Sequence, residues 1–225
     1  GTADIQIVKD RRGAWHIRDF GRGLRIEHFT LNENEEKLSY ASGIIGKFGV
    51  GLKDALATFH RRGVDVLIRS RHGTYRLVKA EKHNFHGIVT LHVEYDDSRA
   101  DTHGTEFVLQ AVSDREMSLA KALFLRFSGE HVLETTRYGQ ILRRKADRAR
   151  VYINGVLASE EPNFLFSYNV TSLTEGMKKR LNRERLNVGR STYTERVKTI
   201  LKHAKLKVIQ SLLNDQIDKK SLGEQ

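Results

Sequence analysis

Two short glycine motifs hold the residue types best suited to chemistry in this chain of 225 residues. Asp19-Phe20-Gly21-Arg22-Gly23 places a carboxylate at the end of a strand-like run, beside glycines that leave room for a flat ring. A carboxylate in that setting accepts a hydrogen bond from an exocyclic amine, so the motif reads as an adenine hook. Further on comes Gly46-Lys47-Phe48-Gly49-Val50-Gly51, which opens a run of helical spacing. Glycines there allow close backbone approach and positive φ, successive N–H groups can point at phosphate oxygens, and the helix dipole adds attraction. That motif reads as a phosphate cradle. A third element, Gly104-Thr105, begins another strand-like run and offers a hydroxyl to support the Asp19 carboxylate, directly or through water. Each motif alone is also an ordinary turn or strand start. Their order and spacing together carry the expectation.

Other chemistries find little footing. The chain has no cysteine, which removes disulfides, thiolate nucleophiles and cysteine-built metal sites. His83, His86, His92 and His103 lack tight ligand spacing, and no Gly-x-Ser-x-Gly nucleophile elbow is present. Asp19-Phe20-Gly21 also matches the metal-binding triplet of protein kinases, but a kinase needs its glycine loop, lysine and catalytic loop upstream, and there is too little chain before Asp19 to hold them.

The elements that must position these motifs follow from periodicity. Alternation over 3–8 and 14–18 around Arg11-Arg12-Gly13 predicts an opening hairpin. Residues 26–45 are polar and loop-like, and Leu52, Ala55, Leu56 and Phe59 recur at helical spacing. Strand-like runs at 64–69, 75–80, 88–95 and 106–111 predict an antiparallel meander with helices against one face. After Asp114 the pattern changes to a helix over 116–127, a strand at 150–154 and a long amphipathic helix marked by Tyr193, Val197, Ile200, Leu201, Ala204, Val208, Leu212 and Leu213. We therefore expect two domains, 1–112 and 113–225. Charge divides the same way: the net charge is 39 − 28 = +11, of which 22 Lys/Arg against 12 Asp/Glu lie in residues 115–225. Such an excess points to a polyanion partner, nucleic acid above all, or to a solvated basic surface.

Taken together, the motifs resemble those of the GHKL ATPases: gyrase B-type topoisomerases, ninety-kilodalton heat-shock chaperones, histidine kinases and MutL-type repair proteins. Ile45-Gly46-Lys47-Phe48-Gly49-Val50-Gly51-Leu52 is similar to the chaperones' lid motif. The resemblance implies an α/β (α+β) two-layer sandwich of Bergerat type, with a mixed, mostly antiparallel sheet, followed by a smaller basic α/β unit ending in a long helix. It further implies ATP binding, with Asp19 on the adenine amino group, Gly21 and Gly23 along the base, Phe48 to Gly51 on the phosphates, Thr105 assisting Asp19, and residues 26–45 as a lid. In the complete protein, ATP hydrolysis would drive a conformational switch. The family's Mg²⁺-binding Asn and its water-activating Glu lie on a helix ahead of the first strand, which is not in this sequence, so the magnesium ligand is expected upstream and this stretch is expected not to hydrolyse ATP. Leu186-Asn187-Val188-Gly189-Arg190-Ser191 resembles the chaperones' middle-domain segment, which implies that Arg190 reaches the γ-phosphate, with Arg183 and Arg185 as nearby competitors. Expected partners are ATP, a second protomer, and DNA through the basic C-terminal half. No apolar run approaches the roughly 20 residues of a membrane helix, and no signal-peptide pattern is present, so a cytoplasmic, membrane-free protein is expected.

Overall fold

The computed structural model describes residues 5–29, 50–97, 102–181 and 189–205. The chain divides into two compact units, Gly1–Asp114 and Arg115–Gln225. It is an α+β protein with a six-strand antiparallel sheet, a five-strand mixed sheet and few helices, the described chain ending in one of them.

The first unit opens with a hairpin of β1 (Ile5–Lys9) and β2 (Trp15–Asp19). Gly13 takes φ +88° at its turn, and the Asp10 carboxylate accepts the Arg12 and Ala14 N–H groups at 2.9 Å each, so local side-chain bonding fixes the turn. Helix α1 (Val50–Arg61) precedes the strands β3 (Asp65–Ser70), β4 (Gly73–Glu81), β5 (Val89–Asp96) and β6 (Thr105–Gln110). The sheet runs β1-β2-β6-β3-β4-β5, with every neighbouring pair antiparallel. The mixed sheet expected here is in fact wholly antiparallel; the mixed sheet belongs to the second unit. β6, last in sequence, inserts between β2 and β3, and that single crossover brings the ends of four strands into one row.

Strand alternation sorts the side chains. Val66, Ile68, Tyr75 and Leu109 are buried on one face, and α1, with Leu56 only 3% exposed, packs against β3. Full burial of aliphatic side chains such as these contributes about 1.5–3 kcal/mol each. His16, Arg69 and Glu106 lie on the other face, joined by charge. Glu106 meets His16 Nδ1 at 3.0 Å and Arg69 Nη1 at 3.3 Å, while His16 Nε2 lies 3.2 Å from Asp10.

In the second unit, α2 (Asp114–Ala122) and the short α3 (Leu125–Ser128) stand where the periodicity predicted one helix over 116–127. The break falls at Phe124, whose backbone is extended and bridges Val156. There the chain feeds a sheet edge: Leu125 N–H donates to Gly155 O and Leu157 N–H to Leu123 O, both at 2.8 Å. Strands β7 (Val132–Thr136), β8 (Gly139–Leu142), β9 (Ala149–Ile153), β10 (Val156–Glu161) and β11 (Ser167–Val170) order as β10-β9-β11-β8-β7, with β9 and β11 parallel. Helices α4 (Glu175–Leu181) and α5 (Arg190–Lys202) close the core, Met177, Tyr193, Val197 and Ile200 packing with Ile141, Val151, Tyr168 and Val170. Val208, Leu212 and Leu213 of the predicted long helix lie outside the described residues.

Candidate functional site

The candidate site is built at one end of the first sheet. Asp19, the last residue of β2, pairs with Thr105, the first of β6; Thr105 pairs with Ser70, the last of β3; and Ser70 pairs with Gly73, the first of β4. Antiparallel partners share a face, so one row of a carboxylate, two hydroxyls and a glycine crosses the sheet end. Thr105 is 5% exposed and Ser70 fully buried.

The glycines around the row have steric reasons. Gly104 takes φ +85°, and a Cβ there would stand 2.0 Å from the Asp19 carbonyl oxygen, so only glycine lets β6 start beside β2. Gly23, also at φ +85°, lies where a Cβ would meet Ser70 Oγ at 2.7 Å. Gly21 N–H donates to Asp19 Oδ1 at 2.8 Å, an Asx turn that pins the carboxylate and leaves Oδ2 without a partner among the described residues. No side-chain hydrogen bond joins Thr105 to the Asp19 carboxylate among these residues.

The segment after the motif is tied to the same face. The Tyr75 hydroxyl donates to Leu24 O at 3.0 Å, and its ring lies 4.8 Å from that of Phe29 and 5.2 Å from that of Tyr95. Burial, with smaller contributions from Tyr95 and Glu27, pushes the Tyr75 phenol up to about 12, so it stays a neutral donor at physiological pH. Ile26–Phe29 form a single 3-10 turn. Neither Ser70 nor Tyr75 was singled out from the sequence, because their place beside Asp19 depends on β6 lying between β2 and β3.

Of the second motif, Gly46, Lys47, Phe48 and Gly49 lie outside the described residues, as do Arg183 and Arg185. Val50 and Gly51 form the first turn of α1, whose leading amides have no partner within the helix. Arg190 opens α5, with its Nε 3.3 Å from Glu161 Oε2 and its guanidinium 5.5 Å from the Phe164 ring centroid. Tyr193, buried one turn on, gives its hydroxyl to the same carboxylate.

A groove of about 620 Å³ opens elsewhere on the first unit, lined by Thr74, Arg76, Glu94, Tyr95, Asp96 and Asp97. Its three carboxylates oppose a phosphate, so it is no rival for a nucleotide. Among the described residues no group of three or more His, Asp or Glu is placed to hold a metal ion, and no helix is long and apolar enough to cross a membrane.

Fold and site define a two-unit α+β protein with a glycine-framed carboxylate at the end of an antiparallel sheet. Two of its relatives are mycoplasmal. Residues 115–207 match the family described as the Mycoplasma pneumoniae MPN635 N-terminal domain. A Mycoplasma pneumoniae protein described as "Uncharacterized protein" is 34% identical over 188 residues, covering 83% of this chain and 75% of the relative. A second protein of that organism, with the same description, is 27% identical over 117 residues, covering 51% of this chain and 33% of its own length. The chain belongs to the MPN635 N-terminal domain family.

This corrects the likeness to the GHKL ATPases. Extended similarity over most of the chain goes to the Mycoplasma proteins, whereas that likeness rested on a few residues in glycine turns. The glycines around Asp19 are accounted for locally: a Cβ at Gly21 would stand 3.0 Å from Asp19 Oδ1, and Gly23 and Gly104 combine positive φ with crowding. The same demands recur in unrelated chains, so short glycine motifs do not carry kinship.

Proposed function

We propose that the first unit binds an adenine nucleotide, ATP being the form to test, at the Asp19 end of its sheet. One observation carries the reading. The Asp19 carboxylate is oriented by the Gly21 amide through Oδ1 while Oδ2 is left to accept a further donor, beside backbone that glycine keeps thin. A carboxylate so held suits an exocyclic amine, and the adenine amino group is such a donor. In this reading the first unit is a two-layer sandwich with α1 over the Asp19 face, and the leading amides of α1 serve the phosphates.

Calorimetry with a non-hydrolysable ATP analogue tests it. Binding is expected in the wild-type chain. Asp19→Asn exchanges a charged acceptor for a neutral one and should cost about 1.5–3 kcal/mol, the range for hydrogen bonds to charged groups. Equal affinity in wild type and Asp19→Asn removes Asp19 from the site, and no binding in either removes the proposal.

A further inference from the structure

In the second unit two acids are buried, while one loop gathers bases at the surface. The Glu130 side chain is 2% exposed and accepts the Tyr152 hydroxyl, and that of Glu161 is 8% exposed and holds Tyr193 and Arg190, whereas Glu160, Glu175 and Glu195 are exposed and paired with Arg150, Lys178 and Lys198. Carboxylates spent inside a fold contribute little field at its surface. The loop between β8 and β9 shows the opposite. Its sequence, Arg143-Arg144-Lys145-Ala146-Asp147-Arg148, carries four cations and one acid, and the side chains of Arg143, Lys145 and Arg148 are exposed with no partner among the described residues.

The remaining cation of the loop is used to build it. Arg144 donates from Nε to Ala146 O at 3.0 Å and from Nη1 to Pro162 O at 3.3 Å and Phe164 O at 3.1 Å. The guanidinium thus ties the loop to itself and to the segment between β10 and β11. At the loop's start, Arg143 N–H donates to His131 O at 2.8 Å, and Lys145 Nζ reaches back over Gly129, 3.1 Å from where a Cβ would stand. Fixing the backbone in advance lowers the cost of ordering the loop on a partner.

We propose that this loop binds the phosphate backbone of duplex nucleic acid, with Arg143, Lys145 and Arg148 as the contacting cations. Two of the three are arginines, whose planar forks suit pairs of phosphate oxygens. With all three cations given to phosphates, binding is independent of sequence. Asp147 is the one opposing charge in it.

Fluorescence anisotropy of the full chain with a labelled DNA duplex, across a salt series and without nucleotide, tests it. Three phosphate contacts contribute about 2.7 to the slope of log affinity against log salt, a roughly forty-fold loss of affinity between 50 and 200 mM salt. The triple variant Arg143→Gln, Lys145→Gln, Arg148→Gln should lose that part of the slope. The control triple Arg137→Gln, Lys198→Gln, Lys202→Gln removes the same charge from exposed positions away from the loop and should keep it. Far-ultraviolet circular dichroism should be alike in all three proteins. No salt-dependent binding by the wild type, equal loss in both triples, or binding to phosphatidylserine vesicles but not to DNA would each overturn the proposal.

Discussion

Gly104 offers the sharpest test of how the sheet end is built. A Cβ at that position would stand 2.0 Å from the Asp19 carbonyl oxygen, 2.7 Å from its carbonyl carbon and 2.8 Å from Phe20 Cα, all backbone atoms that no rotamer change can move aside. Its φ of +85° adds the left-handed penalty of about 1–2 kcal/mol for any L side chain. Forcing atoms into packed space costs about 1–3 kcal/mol more, so Gly104→Ala should destabilise the first unit by about 2–5 kcal/mol. Gly13 separates the two contributions. It has φ +88° but nothing within 4 Å of a would-be Cβ, so Gly13→Ala should pay the conformational penalty alone. Trp15, the only tryptophan, lies on β2 and reports the first unit in urea titrations. With a denaturant dependence of about 2 kcal/mol per molar, a 3 kcal/mol loss moves the midpoint down by about 1.5 M, and Gly13→Ala, at about 1–2 kcal/mol, should move it by about 0.5–1 M. Equal midpoints for the two variants would refute the argument that backbone crowding demands glycine beside Asp19.

The charged face of the first sheet makes its stability depend on pH at both ends. Burial opposes charge on His16, but the hydrogen bonds and charges of Glu106 and Asp10 outweigh it and raise its pKa above the ordinary 6.5, so this contribution is complete below that value and is lost as pH rises through the raised pKa. Burial likewise opposes charge on Glu106, yet His16 and Arg69 hold its pKa below 4.5, a contribution present above that value and lost as pH falls through the lowered pKa. Urea midpoints read from Trp15 should therefore be highest between about pH 4.5 and 6.5 on this account, and His16→Gln should flatten the alkaline side; an unchanged alkaline slope in that variant refutes it. In the second unit, Arg190→Ala removes the cation beside the Glu161 carboxylate and should cost about 1–2 kcal/mol without any nucleotide, less than for a fully buried pair because Arg190 is itself 56% exposed. Thermal unfolding followed by circular dichroism checks it, and no change would show that Tyr193 alone suffices for Glu161.

What was legible in the sequence tracks which side chains meet water. β3 reads Asp-Val-Leu-Ile-Arg-Ser, a short apolar, β-branched run bounded by polar residues, so it was visible as a strand even though its alternating burial was not. β11, Ser-Tyr-Asn-Val, is buried at all four positions and carries two polar residues, a composition that resembles a turn. Its polar groups are satisfied only by distant partners: Ser167 Oγ accepts Arg150 N–H at 2.9 Å, Asn169 Oδ1 accepts Gly155 N–H at 2.9 Å, and Asn169 Nδ2 donates to Gln140 at 2.8 Å. No local pattern announces such a strand, and the parallel pairing with β9 is equally non-local. The site divides in the same manner. Asp19 stood out because its neighbours in sequence are the glycines that frame it, whereas Ser70 joins it only through the register of β6 with β2 and β3.

Arg190 was singled out from the sequence as a phosphate sensor, and its surroundings set a condition on any such role. Glu161 is 6% exposed, and its two oxygens are taken by the buried Tyr193 hydroxyl and by Arg190. A carboxylate left in that place without its cation is poorly solvated, so a ligand that drew Arg190 away would have to return at least what the pair contributes. The same contact sets the start of α5: Arg190 is its first residue, Tyr193 lies one turn on, and both converge on the end of β10. Arg190 is therefore first a structural anchor of the last described helix. An anion would gain it only by matching Glu161, which favours a multiply charged phosphate over a single carboxylate.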